Sequence, residues 1–522
     1  MRQLNAHDAG FLDADTSHSN SNLTLIQIYD QSTAPGGKVR FKSILAHIES
    51  RLGELPIFRS KLQRVPLNLD YPYWVDDPNF DLEYHVRHIA LPKPGDWRQF
   101  CIQASRIHSR PLDLNRPLWE IYVVEGLDSL LDLPAGSFAL LTKIHQAAVD
   151  ADGGNRLTTL LHDTTPQAAA AAPPRPWFPR PVPGRASLLL RCGLNSVVAP
   201  LQARTPLARR FMDGAAAAVT FTGDLLQRPE QIHATRFNSV VSAHRVFDTR
   251  RFMLDEFKRI RNLVPGATVD DAVLAVCGGA LRRYLQSQDE LPDTSLSAIV
   301  PTHTLGRPPR DDARPEQAWL RVELGTHLDD PLRRMAFIRD QTAVSRAGGQ
   351  TLGARELSGS DHHKTPTPLA PVGLLRGLAR VLGSRHAPSA SCTITNVPGP
   401  SAPLYLNGAR MTFFSAIMPI SDGMGLVFAV TTYDGRVVIS PTSCRELIPD
   451  PEAFTQHLRD CFQDYLAMAT PAEPPPSKRT RSARPRASAS GAKPRSGPKA
   501  GRASNGPRAA PGGRRRSAAP GR

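Results

Sequence analysis

The sequence predicts a mixed α/β protein built from two halves, and three observations carry that prediction. Buried-type strands alternate with amphipathic helices on both sides of the chain's midpoint, a Pro/Ala-rich segment between them breaks all periodicity, and a basic tail follows the last aromatic residue, Tyr465. With 522 residues, 40% hydrophobic and 6% aromatic, the chain can bury a sizeable core but is long for one domain. The expected division is an N-terminal half over 1–165, a linker with crossover helices over 166–235, a C-terminal half over 236–468 and a disordered basic tail over 469–522.

The elements follow in chain order. Leu23 to Tyr29 and Leu118 to Val124 are strand-like, and Phe41 to Leu52 has its apolar residues at helical spacing. Ser137 to Ile144 reads as a buried strand that runs into a polar cluster, His145-Gln-Ala-Ala-Val-Asp-Ala-Asp-Gly-Gly154, the kind of junction where α/β enzymes hold reacting groups. Pro166 to Gly184, with its alanine run and repeated prolines, predicts an extended connector. In the second half, Thr268-Val-Asp-Asp271 has the spacing of a capping box, and Val269, Ala272, Val273, Val276, Ala280 and Tyr284 share a face, so a helix to about Leu285 is expected. Leu296 to Pro301 reads as a strand. Leu426 to Tyr433 and Arg436 to Ser440 flank Asp434-Gly435, a two-residue hairpin turn that needs positive φ.

The formal charge of +16 suggests a polyanionic partner until it is located. From Pro471 onward 14 Lys and Arg face one acid, Glu473, a net of +13, which leaves +3 on the remaining residues. The tail is almost entirely Ala, Pro, Gly, Ser and basic residues, too poor in large apolar side chains to offset the entropy of ordering it. It contains no aromatic ring on which a base could stack, so specific nucleic-acid recognition is not expected. A solvated arm touching an anionic membrane or lipid-droplet surface and an inert solubility tail are both compatible with it.

The six cysteines are scattered without a CxxC, as expected of reduced cytosolic thiols rather than a disulfide framework or zinc site. Asp361-His-His-Lys364 lies in a loop-like stretch without a nearby third ligand, so no metal is expected. The N-terminus lacks a signal-peptide core and no run reaches the roughly 18 apolar residues of a membrane span. The expectation is a cytoplasmic, soluble or peripheral protein.

An ordered series of short blocks is more specific. Asn5-Ala-His-Asp-Ala-Gly-Phe-Leu12, Phe80-Asp-Leu-Glu-Tyr-His-Val-Arg87, Arg110-Pro-Leu-Asp-Leu-Asn-Arg-Pro-Leu-Trp-Glu120 and Lys143-Ile-His145 are followed by Ala275 to Leu285 and Val300-Pro301. Then come Thr395-Asn-Val-Pro-Gly-Pro400, Pro403-Leu-Tyr-Leu-Asn-Gly408 and Pro449-Asp450. From Asn5 to about Ala467 this series resembles the bacterial wax ester synthase/diacylglycerol acyltransferase family. The resemblance implies two chloramphenicol-acetyltransferase-like halves, each a mixed sheet flanked by helices, with acyl-CoA and an acceptor alcohol entering a tunnel between them. It implies acyl-CoA and diacylglycerol or a long-chain alcohol as substrates, triacylglycerol or wax ester as product, and no cofactor.

The family's chemistry uses a His-His-x-x-x-Asp-Gly motif whose second His acts as general base on the acceptor hydroxyl. An alcohol needs such help near neutral pH, and imidazole has the pKa to give it. Here the motif reads His145-Gln146-Ala-Ala-Val-Asp150-Ala151, so the second His is Gln and the Gly is Ala. An amide has no usable basicity. Sliding the frame to put His145 in the second position would place Val149 where Asp belongs. Either the base is lost, or the turn is rearranged so that His145 points into the tunnel.

The resemblance thus makes His145 the candidate catalytic residue, with Gln146 and Asp150 as structural members of the motif. Trp119 and Asn396 are candidates for lining the tunnel or touching substrate, although core packing is the first reading of Trp119 and turn fixing accounts for Asn396 as well as substrate contact does. Two outcomes are expected: an acyl-CoA-dependent O-acyltransferase, or a catalytically impaired member that binds lipid or acyl-CoA or partners an active relative.

Overall fold

A computed structural model describes residues 1–127, 133–134, 136–149, 155–167, 177–202, 233–301, 319–348, 390–399 and 402–469. The basic tail, Asp150, the alanine run and Asp361 to Lys364 lie outside them. Among the described residues the strands are β1 (Arg2–Gln3), β2 (Asn22–Asp30), β3 (Ser60–Gln63), β4 (Tyr73–Asp76), β5 (Val86–Ala90), β6 (Trp119–Glu125), β7 (Phe138–His145), β8 (Arg245–Phe247) and β9 (Arg250–Met253). They continue with β10 (Ser297–Pro301), β11 (Trp319–Glu323), β12 (Cys392–Pro398), β13 (Tyr405–Leu406), β14 (Ala409–Ile417), β15 (Val427–Tyr433) and β16 (Arg436–Cys444). The helices that matter below are α1 (Ala6–Ala14), α2 (Phe41–Arg51), α3 (Leu82–His85), α4 (Trp97–Ser109), α5 (Asn155–Leu161) and α6 (Arg185–Gln202). In the second half they are α7 (Leu254–Arg261), α8 (Val269–Ser287), α9 (Pro331–Gly348) and α10 (Pro451–Ala469).

Two mixed sheets organise the body, as the sequence predicts. The first runs β13-β14-β2-β7-β6-β5, antiparallel except for the parallel pair β5 and β6. The second runs β11-β10-β12-β15-β16-β8, with β9 also paired to β16 and with β12 parallel to both neighbours. A small antiparallel sheet, β1-β4-β3, stands beside them.

Strand membership does not follow chain order. β13 and β14, from the second half of the sequence, add to the edge of the first sheet, where β14 pairs with β2 from Arg410 opposite Asp30 to Ile417 opposite Thr24. Asn407 and Gly408 turn β13 into β14 with φ of 50° and 83°, and a Cβ on Gly408 would stand 2.6 Å from Pro35 Cδ. Only glycine fits that approach and that backbone. Cross-links then tie β14 to the second sheet: Ser415 Oγ lies 2.7 Å from Ser440 Oγ, and Thr431 Oγ1 donates to Phe414 O at 2.8 Å.

Each sheet is covered by helices chosen by their apolar faces. Ile44 and Ile48 of α2 and Leu157 and Leu161 of α5 pack with Leu25, Ile121 and Leu140 on one side of the first sheet. Phe100, Ala104 and Ile107 of α4 pack with Ile26, Tyr122 and Leu141 on the other. In the second half α8 is the central helix, started by the reciprocal Thr268/Asp271 capping box and buried from Asp271 to Leu281. It packs against α7, α9 and α10 in a core with Phe257, Met335, Phe454 and Phe462. The Asp434-Gly435 hairpin forms as read, with Tyr433 opposite Arg436 and φ of 46° and 72° in the turn.

Candidate active site

β7 supplies the site. All eight of its residues are buried, and it ends on His145, which stands opposite Asn22 of β2 and donates its backbone N–H to Leu118 O at 3.0 Å. A single 3-10 turn, Gln146–Ala148, follows at once. The Ala147 N–H donates to His145 Nδ1 at 3.1 Å, and His145 Nε2 lies 3.0 Å from Asp15 Oδ2. These two contacts fix the tautomer: Nδ1 accepts, and Nε2 carries the proton that it donates to the carboxylate. The ring is 1% exposed. Asp15 is held in turn, since its Oδ1 accepts the Ser21 N–H at 2.7 Å.

A base needs a free lone pair, and here both ring nitrogens of His145 are engaged. Gln146, at the next position, is half-buried; its N–H donates to Ser21 O at 2.9 Å and its carbonyl accepts from Val149 N at 3.1 Å. Asp150 falls outside the described residues. Trp119 pairs with Ile144, one residue out of phase with Lys143 and His145, so its indole occupies the opposite face of the sheet. It is 2% exposed, donates Nε1–H to Phe58 O at 2.8 Å and stacks on His85 at 4.6 Å. The cavity it lines with Ile48, Leu52 and Leu157 measures about 10 Å³, room for one water. Asn396 belongs to the second sheet, in β12 opposite Val430, and its buried Oδ1 has no donor among the described residues.

The structure adds polar residues that the sequence reading did not assign. Lys143, two residues before His145 and on the same face, is fully buried; its Nζ donates to Arg110 O and lies 3.9 Å from Glu120 Oε2. Burial lowers its ammonium pKa to about 8, with Glu120 working against that and Arg110 and Arg87 adding to it. Glu120 also accepts from Arg87 Nη2 at 3.3 Å and from the Tyr122 hydroxyl at 3.0 Å. His108 of α4 is buried with Nδ1 2.9 Å from Thr24 Oγ1, and burial holds its imidazole well below the usual pKa and therefore neutral. A lysine inside an otherwise apolar strand was the available signal for Lys143. Asp15, 130 residues before His145, had none. Among the described residues no group of three or more His, Cys, Asp or Glu could hold a metal ion.

Comparison with known proteins places this geometry. Residues 4–273 match the wax ester synthase/diacylglycerol acyltransferase catalytic domain, and residues 317–465 match the WS/DGAT C-terminal domain. The O-acyltransferase WSD of Acinetobacter baylyi is 30% identical over 428 residues, 78% of this chain and 85% of that protein. A Mycobacterium tuberculosis protein, named provisionally as a diacylglycerol O-acyltransferase, is 31% identical over 457 residues, 83% of this chain and 90% of its own length. Among solved structures, the wax ester synthase/diacylglycerol acyltransferase of Marinobacter aquaeolei shares the fold at a TM-score of 0.63 and 24% identity, covering 90% of this chain and 99% of that one. With both domains matched in order, and with a relative 30% identical over 78% of its length, the chain belongs to the wax ester synthase/diacylglycerol acyltransferase family of acyltransferases.

Proposed function

We propose that this chain is an acyl-CoA-dependent O-acyltransferase that forms triacylglycerol from diacylglycerol, or wax ester from a long-chain alcohol. The acceptor oxygen attacks the thioester carbonyl, the C–S bond breaks from the tetrahedral oxyanion, and the proton lost by the hydroxyl ends on the departing CoA thiol. The observation that supports this reading is the carboxylate-oriented imidazole of His145 at the end of a buried strand in the family's motif. Asp15 at Nε2 would stabilise an imidazolium, and Nδ1 is the nitrogen left to take a proton. It can do so only when the Ala147 N–H releases it.

One observation favours a second reading. With both nitrogens of His145 engaged and an amide at Gln146, the chain is a catalytically impaired member that binds acyl-CoA or lipid, or partners an active relative. Labelled palmitoyl-CoA and diolein separate the two when given to wild type, His145→Ala and Gln146→His. Turnover in wild type that His145→Ala abolishes supports the first. An inert wild type that gains turnover with Gln146→His supports the second.

The protein's place at a lipid surface belongs to the same proposal. No described helix is long and apolar enough to cross a membrane. Phe178, Leu189, Leu190 and Leu194 are exposed beside the exposed Arg185 and Arg191, a combination suited to an anionic lipid interface and close in chemistry to the basic tail. Deleting residues 471 to 522 should weaken binding to anionic liposomes at low salt; unchanged binding removes the tail from this role.

A further inference from the structure

Asp15, which orients the His145 ring, sits on a connection and not in a helix or strand. Residues 15–21 join α1 to β2, and their sequence, Asp-Thr-Ser-His-Ser-Asn-Ser, has no apolar side chain with which to pack. A polar loop of this kind keeps its backbone freedom unless specific contacts remove it. Part of the loop is closed on itself: the Thr16 N–H donates to Ser19 O at 2.7 Å, and Thr16 Oγ1 accepts the Ser19 N–H at 2.9 Å. The Thr16–Ser19 turn therefore moves as one piece, and whatever holds it also places Asp15 beside it.

Three contacts from the second half hold that turn. Ser19 is 6% exposed and donates its hydroxyl to Ile420 O at 2.6 Å. Arg245, at the start of β8, donates through Nη2 to His18 O at 3.0 Å. His18 Nε2 lies 3.1 Å from Asp422 Oδ2. The far end of the loop is tied to the first half instead, by Asn20 Nδ2 to Ser109 O at 3.0 Å and by Ser21 Oγ to Phe11 O at 2.9 Å. The partners in the second half are themselves fixed. Ile420 and Asp422 lie in the connection from β14 to β15, where the Met424 N–H donates to Ser421 O at 2.9 Å. The Gly425 N–H donates to Phe237 O at 2.7 Å, and Asp422 Oδ1 accepts the Val241 N–H at 3.0 Å.

We propose that His18 and Ser19 are positioning residues that clasp the Asp15 loop onto the second half. Through Asp15 they set the orientation of the His145 imidazole, so the site is complete only where the two halves meet. The bearing of the clasp on acyl transfer rests on the reading of His145 as the group that takes the acceptor's proton. Its bearing on the ring does not, and the ring can be read without turnover.

The test uses the full-length chain without substrate. A buried imidazole N–H held to a carboxylate gives a low-field proton NMR signal, and its loss in His145→Gln assigns the His145 Nε2 proton. His18→Ala combined with Ser19→Ala should quicken exchange of that proton with solvent by about tenfold or more, through more frequent opening of the loop. His18→Ala with Ser19→Thr, which keeps a hydroxyl, should recover part of the protection. His18→Ala alone, at a side chain one-third exposed, should give a smaller acceleration of the same sign and keeps the test decisive if the double variant fails to fold. Asp248→Asn is the control for general loosening, since Asp248 joins α4 to β9 and α10 away from the loop, and it should leave the exchange rate as in wild type. Exchange unchanged by the substitutions at His18 and Ser19, or quickened as much by Asp248→Asn, overturns the clasp; so does a wild-type spectrum with no signal that His145→Gln removes. With palmitoyl-CoA and diolein the double variant should lower kcat and leave KM as it is. A wild type that is inert while its His145 proton still responds to the substitutions supports the clasp and counts against the catalytic reading alone.

Discussion

Lys143→Met should change how stability depends on pH, and the change can be worked from the structure. The ammonium is fully buried against Arg110 O and Glu120, and burial lowers its pKa from 10.5 to about 8. Below pH 8 both the folded and unfolded chains carry the proton, so the folded state bears the whole cost of the buried charge. Between pH 8 and 10.5 the folded chain has released the proton and the unfolded chain still binds it. Stability contributed by this group therefore rises with pH across that window, by about 1.4 kcal/mol per pH unit and about 3 kcal/mol in total. Above 10.5 both states are neutral and the contribution is level. Met fills a similar volume without the charge, while Arg87 and Tyr122 still hold Glu120. Urea unfolding of wild type and variant from pH 7 to pH 11 gives the difference, in which the other titrating groups cancel. Wild type should gain about 3 kcal/mol on the variant between pH 8 and 10.5. Parallel curves would refute the reasoning, because they would mean that Lys143 titrates alike in both states.

Four other substitutions probe how the body is held together. Asp248 accepts from Trp97 Nε1 at 2.7 Å, from Arg250 Nη1 at 2.8 Å and from Thr455 Oγ1, joining α4 to β9 and α10. Asp248→Asn takes the carboxylate from the part-buried Arg250, which keeps Thr249 O and Glu452 O, and should cost about 2 kcal/mol in chemical unfolding. Gly408→Ala meets both a positive φ and the 2.6 Å approach to Pro35, so it should destabilise by about 2 kcal/mol or more, whereas Gly423→Ala, with a similar φ but open space around it, should cost less. Trp119→Phe removes the bond to Phe58 O and enlarges the neighbouring cavity, which should lower unfolding free energy by about 2 kcal/mol. An unchanged midpoint for Trp119→Phe would contradict its placement in the core.

The sequence by itself determined the elements whose signals are local. The buried-strand run from Ser137 to Ile144, the Thr268 capping box and the Asp434-Gly435 turn each involve residues a few positions apart, and each element forms as read. The ordered motifs also sufficed to place the chain in its family. Asn407-Gly408 carried an equally local hairpin signal, and its turn joins the strands that cross into the first sheet. That crossing was not legible, because the pairing of β14 with β2 joins residues almost 400 positions apart, and strand alternation says which face is buried without naming the partner.

The same limit applies to the site. The motif pointed to His145 as the candidate, but the engagement of both its ring nitrogens was decided by Asp15 and by the Ala147 amide. The register of Trp119 with Ile144, which puts its indole on the face of the sheet opposite His145, was likewise beyond local sequence. Chemistry at a histidine depends on contacts within about 3 Å, and those are set by how distant segments pack, which local sequence does not encode.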